Sequence, residues 1–225
     1  YFATGGSGRP SRANVFITSK VANTSRSAAG VRESLLTTLS QLHVDKLDLF
    51  LIHSPFQLTV PLSETWAAME KLVDDGLVTD IGVSNFRVSD LEELLKIARI
   101  PPVVNQIECH PYCFNRTLSE YCQSKGILIC SYSPLAPLVH FAGGPVDAPV
   151  AAAAARLQVS PAQVLLAWNL SQGHAVVTLT SKKQRMVETL QVGGIVLDPA
   201  EVEAITTAGA SSPARAYWTK EDWSA

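Results

Sequence analysis

Apolar residues along the chain fall alternately in short β-branched runs and in longer stretches of helical spacing. "VFITSK" (15–20) is apolar and then polar, as a strand running out of a core would be. Residues 26–42 place Val31, Leu35, Leu39 and Leu42 on one helical face. "LDLFLIH" (47–53) reads as a strand, and 63–76 as a helix capped by Ser63 and stopped by Gly76. A strand at 78–85 and an amphipathic helix at 89–98, with a Ser or Asp cap, follow. Then come a strand at 102–108, a helix within 116–125 ending at Gly126, and a strand at 127–134. The Gly- and Pro-rich stretch 136–149 reads as a loop. Helical segments near 150–157 and 160–171, a strand at 175–181, helices near 183–191 and 199–207, and a polar tail complete the pattern.

Six β-then-α units in series predict a parallel sheet, because each helical crossover returns the chain along one face. Strands buried on both sides explain the near-continuous apolar runs. An open doubly wound sheet and a closed (β/α)8 barrel both fit this order. The glycines of "ATGGSGRPSR" precede their strand, so they do not form the first turn of a dinucleotide-binding unit, and they read as a loop.

Composition narrows the choice. With 225 residues, 47% of them hydrophobic, the chain is expected to form one domain over 1–225. A net charge of −2 without a Lys/Arg run speaks against nucleic acid or an anionic membrane as partner. No eighteen-residue apolar stretch predicts a membrane span, and no signal peptide opens the chain, so a cytoplasmic location is expected. The four cysteines, Cys109, Cys113, Cys122 and Cys130, fit reduced thiols better than a disulfide framework. Cys109, His110 and Cys113 have ligand-like spacing, but no second pair completes a zinc site, and no metal is expected.

Polar residues gather at the C-terminal end of each expected strand. They are Lys20, then His53, then Ser84 and Asn85, then Asn105, Gln106 and Glu108, then Ser131, Tyr132 and Ser133, then Thr180 and Ser181. In parallel α/β folds these ends share the face that carries the site. Ser84, Asn85 and Gln106 suit a ligand bearing an amide. Tyr132 can offer an aromatic face, or stand as a rim tyrosine. A lysine beside a histidine suggests proton management, with His53 orienting a carbonyl oxygen. "KKQR" (182–185), at a helix start, could meet phosphate or form a solvated helix face.

"FITSK", "DLFLIHSP", "DIGVSNF", "VNQIECHPY", "SYSPLA" and "SPAQVLLAW" together resemble the aldo-keto reductase family over about residues 14–210. The resemblance implies a (β/α)8 TIM-type barrel and the reduction of aldehydes or ketones by NADPH, with NADH possible, on a small-molecule carbonyl substrate. It implies His53 and Lys20 as catalytic residues. Ser84, Asn85 and Gln106 match the residues that grip the nicotinamide carboxamide, and Tyr132 the ring stacked on the nicotinamide. Ser133 and Leu135 match the segment beside the pyrophosphate. Arg185 and Glu188 match contacts of the adenosine end, and Thr180 and Ser181 stand beside them. Two departures are visible. Ser54 follows His53 where many members carry tryptophan, and Leu179 stands where a lysine often holds the 2′-phosphate.

The family's proton-donor tyrosine and its supporting aspartate belong upstream of "VFITSK". The residues there contain no Asp, and Tyr1 reads as a chance residue. The expectation is an incomplete, N-terminally truncated barrel with about six of the eight β/α units, weak in NADPH binding and poor in turnover. Such a chain is expected to be a monomer if complete and prone to association if truncated. The competing reading is a catalytically inactive truncated barrel that binds nucleotide or a protein partner. A phosphate-binding isomerase or aldolase would require a Gly-rich loop where "TLTSKKQR" stands.

Overall fold

The run Leu47–Ile52 forms a strand in which Leu47, Phe50 and Leu51 are inaccessible to solvent. Burial on both faces removes any need for polar alternation, hence its uniform sequence. It lies in the first of two units, Tyr1–Val103 and Val104–Ala225, of the computed structural model, which describes residues 11–21 and 27–223. The reading of Tyr1, and most of the glycine-rich run beside it, lies outside the described residues.

The first unit runs β1 (Thr18–Lys20), α1 (Ala28–Leu42), β2 (Leu47–Ile52), α2 (Leu62–Asp74), β3 (Val78–Ser84) and α3 (Val88–Ile97). β2 pairs in parallel with β1, Lys20 opposite Leu51, and with β3, Ile52 opposite Val83. This register delivers Lys20, His53 and Ser84 to the same end of the sheet. Val31, Leu35 and Leu39 bury one face of α1 as expected, whereas Leu42 is exposed at the helix end, where the chain turns through His43 at φ 54°. One cap differs from expectation, and the Asp cap expected for the next helix acts from inside it. α2 starts from Pro61, whose carbonyl accepts from the N–H groups of Glu64 and Thr65, so Ser63 is an exposed residue inside the helix. α3 is capped from within by Asp90, whose Oδ2 accepts the Arg87 N–H at 2.9 Å.

The second unit runs β4 (Val104–Glu108), α4 (Arg116–Ser124), β5 (Leu128–Tyr132), α5 (Ala136–Val139), α6 (Asp147–Leu157), α7 (Pro161–Ser171), β6 (Ala175–Val177), α8 (Lys183–Gln191) and α9 (Pro199–Ala210). β5 pairs in parallel with β4, Glu108 opposite Tyr132, and with β6, Tyr132 opposite Val177. The stretch 136–149 is not all loop: it holds α5 and the first turn of α6, where Asp147 Oδ2 accepts the Gly143 N–H at 2.7 Å. β6 ends at Val177 instead of residue 181, because β5 ends at Tyr132 and offers no further ladder partner. α7 is buried over Gln163–Asn169, which places it in the core of this unit.

Among the described residues no single helix is long and apolar enough to cross a membrane. α6 and α7 reach the length only together, bent by 98° to each other.

Candidate active site

In the first unit the polar strand ends are knitted together. The Asn85 amide nitrogen donates to the His53 carbonyl at 2.9 Å and to Ser84 Oγ at 3.1 Å, bridging the tips of β2 and β3. Asn85 holds φ 63°, a left-handed conformation that asparagine tolerates better than most side chains. Ser84 and Asn85 are buried, while His53 and Lys20 are half-buried at the tips. Burial pushes the His53 pKa below the ordinary imidazole value, and the positive charge of Lys20 depresses it further. Both influences favour the neutral ring, and a cation lies near enough to act on it. Ser54, the residue that departs from the family pattern, is buried and its Oγ accepts the Phe56 N–H at 3.2 Å.

In the second unit Gln106 is buried on β4, its amide nitrogen 3.7 Å from Cys130 Sγ on the paired strand. Tyr132 ends β5, and Ser133 follows at φ 53°. Tyr132, Ser133 and Leu135 line a cleft of about 260 Å³ with Val139, His140 and Leu179. Leu135 also lines a second cleft of about 390 Å³ with Thr180, Arg185 and Glu188. Ser181 is exposed and lines neither cleft. Thr180 Oγ1 accepts the Lys182 N–H at 3.1 Å at the start of α8. Leu179, at the mouth of both clefts, is 96% exposed. Ser160 and Gln163 of the α7 start also line the larger cleft, a contribution that only the tertiary fold reveals.

Three of the strand-end polar groups serve packing. Asn105 hydrogen-bonds Cys122, and Ser131 Oγ lies 3.2 Å from His174 Nδ1. Glu108 is fully buried and holds His110 and the C-terminal segment, with Ala216 N at 2.7 Å and Tyr217 N at 3.0 Å. The expected polar tail is thus strapped to the second unit by its backbone. His174, on no expected site, is closed off by Ser119, Ser131 and Cys109, and burial lowers its pKa to about 4.

All four cysteines carry free thiols. Burial pushes Cys109 and Cys113 up to about 12 and Cys122 to about 11. Glu108, His110 and Cys113 each bring a ligand-type atom within 4.8 Å of the others. The Arg215 guanidinium, 3.7 Å from Glu108, sets a positive charge against a cation at that point.

The model of the Aldo/keto reductase family matches residues 2–140. The NAD/NADP-dependent indole-3-acetaldehyde reductase of Schizosaccharomyces pombe is 43% identical over 216 residues, covering 94% of this chain and 75% of the relative. The aldose reductase of Schistosoma japonicum superposes with a TM-score of 0.83 at 35% identity, covering 92% of this chain and 72% of that one. The Bombyx mori aldo-keto reductase in complex with NADP superposes at 0.81 with 31% identity, covering 87% and 68%.

Proposed function

The chain belongs to the aldo/keto reductase family, and on that premise we propose that His53 and Lys20 act at the carbonyl of a small aldehyde or ketone that is reduced to an alcohol at the expense of NADPH or NADH. The chain is an NAD(P)H-dependent oxidoreductase of the (β/α)8-barrel type, six of whose β/α units the described residues form. Residues 1–225 act as one N-terminally truncated reductase domain, a monomer if the barrel is completed and prone to association if it is not, in the cytoplasm and without a nucleic-acid or membrane partner.

The cofactor's chemistry fits the second unit. A cleft of about 390 Å³ with apolar walls, the Thr180 hydroxyl and the Arg185 cation suits an adenosine carrying phosphate. Arg185, Glu188, Thr180 and Ser181 would hold that end, with Ser133 and Leu135 beside the pyrophosphate. Ser84, Asn85 and Gln106 would take the carboxamide, and Tyr132 the face of the nicotinamide. When bound, the nicotinamide supplies the hydride.

The protein's own residues do the rest. The neutral His53 ring donates an N–H to the substrate oxygen and polarises the carbonyl. Lys20, placed near enough to depress that ring, favours the negative charge that develops on the oxygen, and the alkoxide left by hydride delivery takes its proton from water, a slower step than transfer from a positioned acid. Asn85 fixes the His53 backbone from the neighbouring strand tip. The observation that carries this reading is the placement of His53 and Lys20 at adjacent parallel strand tips, where burial and the Lys20 charge both lower the His53 pKa.

Fluorescence titration with NADPH, followed by aldehyde-dependent loss of NADPH absorbance, tests it. Saturable binding with turnover that disappears in His53→Asn supports the reading. Lack of NADPH binding sinks it, and binding without any turnover favours a nucleotide-binding barrel without catalysis.

A further inference from the structure

We propose that Glu108 is a positioning residue that clamps the C-terminal segment 214–218 and through it fixes the orientation of Tyr132; the consequence for the cofactor rests on reading Tyr132 as the nicotinamide-facing ring.

The Glu108 carboxylate gathers its partners in the interior. Its Oε1 accepts from His110 Nε2 at 2.9 Å and from the Ala216 N–H at 2.7 Å. Its Oε2 accepts from the Tyr217 N–H at 3.0 Å, with the Arg215 guanidinium 3.7 Å away. Burial pushes the carboxyl pKa up, but the bonds from His110, Ala216 and Tyr217 outweigh it and leave the group below its ordinary value. A buried carboxylate is tolerated only when donors surround it, and here two of the three hydrogen-bonding donors are backbone groups of one short segment. That segment is fixed elsewhere too. The Ala214 N–H donates to the Tyr112 carbonyl at 2.9 Å, Arg215 lies over the Trp223 ring at 3.7 Å, and Trp223 Nε1 donates to the Trp218 carbonyl at 3.0 Å. Trp218 holds φ 52°, which a bulky residue keeps only where its surroundings over-determine it.

What the segment reaches is Tyr132. The Trp218 side chain hydrogen-bonds the Tyr132 phenol. The Tyr217 ring meets the Tyr132 ring edge-on at 6.0 Å, and Tyr217 also meets His140 at 6.2 Å. Both ends of the link sit at one register position, because Glu108 and Tyr132 are ladder partners on β4 and β5. Glu108 thus acts on the ring across the sheet and again through the strap, without touching a ligand itself.

The test compares wild type, Glu108→Gln and Trp218→Phe as full chains. Glutamine keeps the shape but turns an amide N–H₂ toward donors. Amide hydrogen exchange at 216 and 217 is expected to quicken about tenfold in Glu108→Gln, as lost charge-assisted bonds open the strap locally. The Kd for NADPH is expected to rise about tenfold with it. Trp218→Phe leaves Glu108 in place, so exchange at 216 and 217 is expected to change less than about twofold while the NADPH Kd rises about threefold. Unchanged exchange in Glu108→Gln overturns the clamp. Faster exchange with an unaltered Kd in both variants overturns the link to Tyr132, as does a fall in Tm with no change in Kd. If Glu108→Gln fails to fold, Trp218→Phe decides the link. Failure of wild type to bind NADPH overturns the cofactor reading and the cofactor consequence with it, whereas exchange decides the clamp without any cofactor.

Discussion

The tip of the first unit and the base of the second each hold a histidine whose pKa burial has lowered, and they are put to different use. His53 leaves the C-terminal end of β2, half-buried, with the Lys20 charge as a second depressing influence. His174 precedes β6, at the opposite end of its strand, with Nε2 2.9 Å from Ser119 Oγ and Nδ1 3.2 Å from Ser131 Oγ. A lowered imidazole pKa therefore does not by itself mark a site. Position at a strand's C-terminal end, partial exposure and a second charge distinguish the ring proposed to act on substrate from the packed one.

The largest effect should fall where these two rings are exchanged as targets. If His53 polarises the carbonyl as proposed, His53→Asn, whose shorter amide cannot place a donor where the ring does, should drop the rate of aldehyde reduction on the order of 10²- to 10⁴-fold. NADPH affinity and Tm should barely move if, as proposed, the half-buried ring acts on the substrate. His174→Asn should do the reverse, leaving kcat intact while lowering Tm. Steady-state kinetics and thermal melts on both variants check this. A kinetic collapse in His174→Asn would abolish the distinction.

The same comparison has a pH signature. The His174 pKa is 6.5 as an ordinary imidazole and about 4 in the folded chain. Between those values the unfolded state binds more protons, so stability falls as pH drops from 6.5 to about 4 and this group adds nothing further below that. The full loss is roughly 3 kcal/mol at one pKa unit per 1.36 kcal/mol. His53 titrates in the same direction, so the difference between wild type and His174→Asn isolates the packed ring. Urea midpoints measured across that window should converge at the acid end, and parallel curves would refute the assignment.

Much of this was legible in sequence, for reasons that differ by region. Apolar runs such as "LDLFLI" announce parallel strands because burial on both faces leaves no other pattern. Gly76 and Gly126, at φ 72° and 69°, end their helices where the turn chemistry says they should. Polarity at a strand end does not by itself mark a ligand group. Glu108, Asn105 and Ser131 look like ligand groups in a list of residues, yet each has a partner far away in sequence, and Glu108 reaches more than a hundred positions to Ala216. The same long-range bonds turn an unremarkable polar tail into a strap. The short β6 escaped because strand length depends on its neighbour's last residue, which periodicity does not encode.

A smaller effect is expected at the outer cleft of the second unit, where, unlike at the strand tips, charged groups face solvent. Arg185 is exposed at the start of α8 and lines the cleft with Thr180 and Glu188. Arg185→Ala should weaken NADPH by about tenfold, the worth of one charge-assisted hydrogen bond. NADH, which lacks the 2′-phosphate, should lose far less. Equal losses for both cofactors would move Arg185 from the phosphate to the adenine.

The smallest effect concerns Leu179, 96% exposed and lining both clefts, at the position where the sequence resemblance places a lysine. An apolar side chain this exposed contributes almost nothing to folding, so its replacement should leave Tm unchanged. Leu179→Lys adds a positive charge beside a cleft that already holds Arg185 and Glu188. A surface ion pair is worth up to about 1 kcal/mol, so NADPH affinity should rise by no more than about fivefold. The gain should fade with salt as screening grows, and NADH affinity should stay within error. Competitive titrations of the two cofactors at low and high ionic strength measure this directly. A gain that survives high salt, or that NADH shares, would mean that the new side chain packs on the nucleotide instead of pairing with its phosphate.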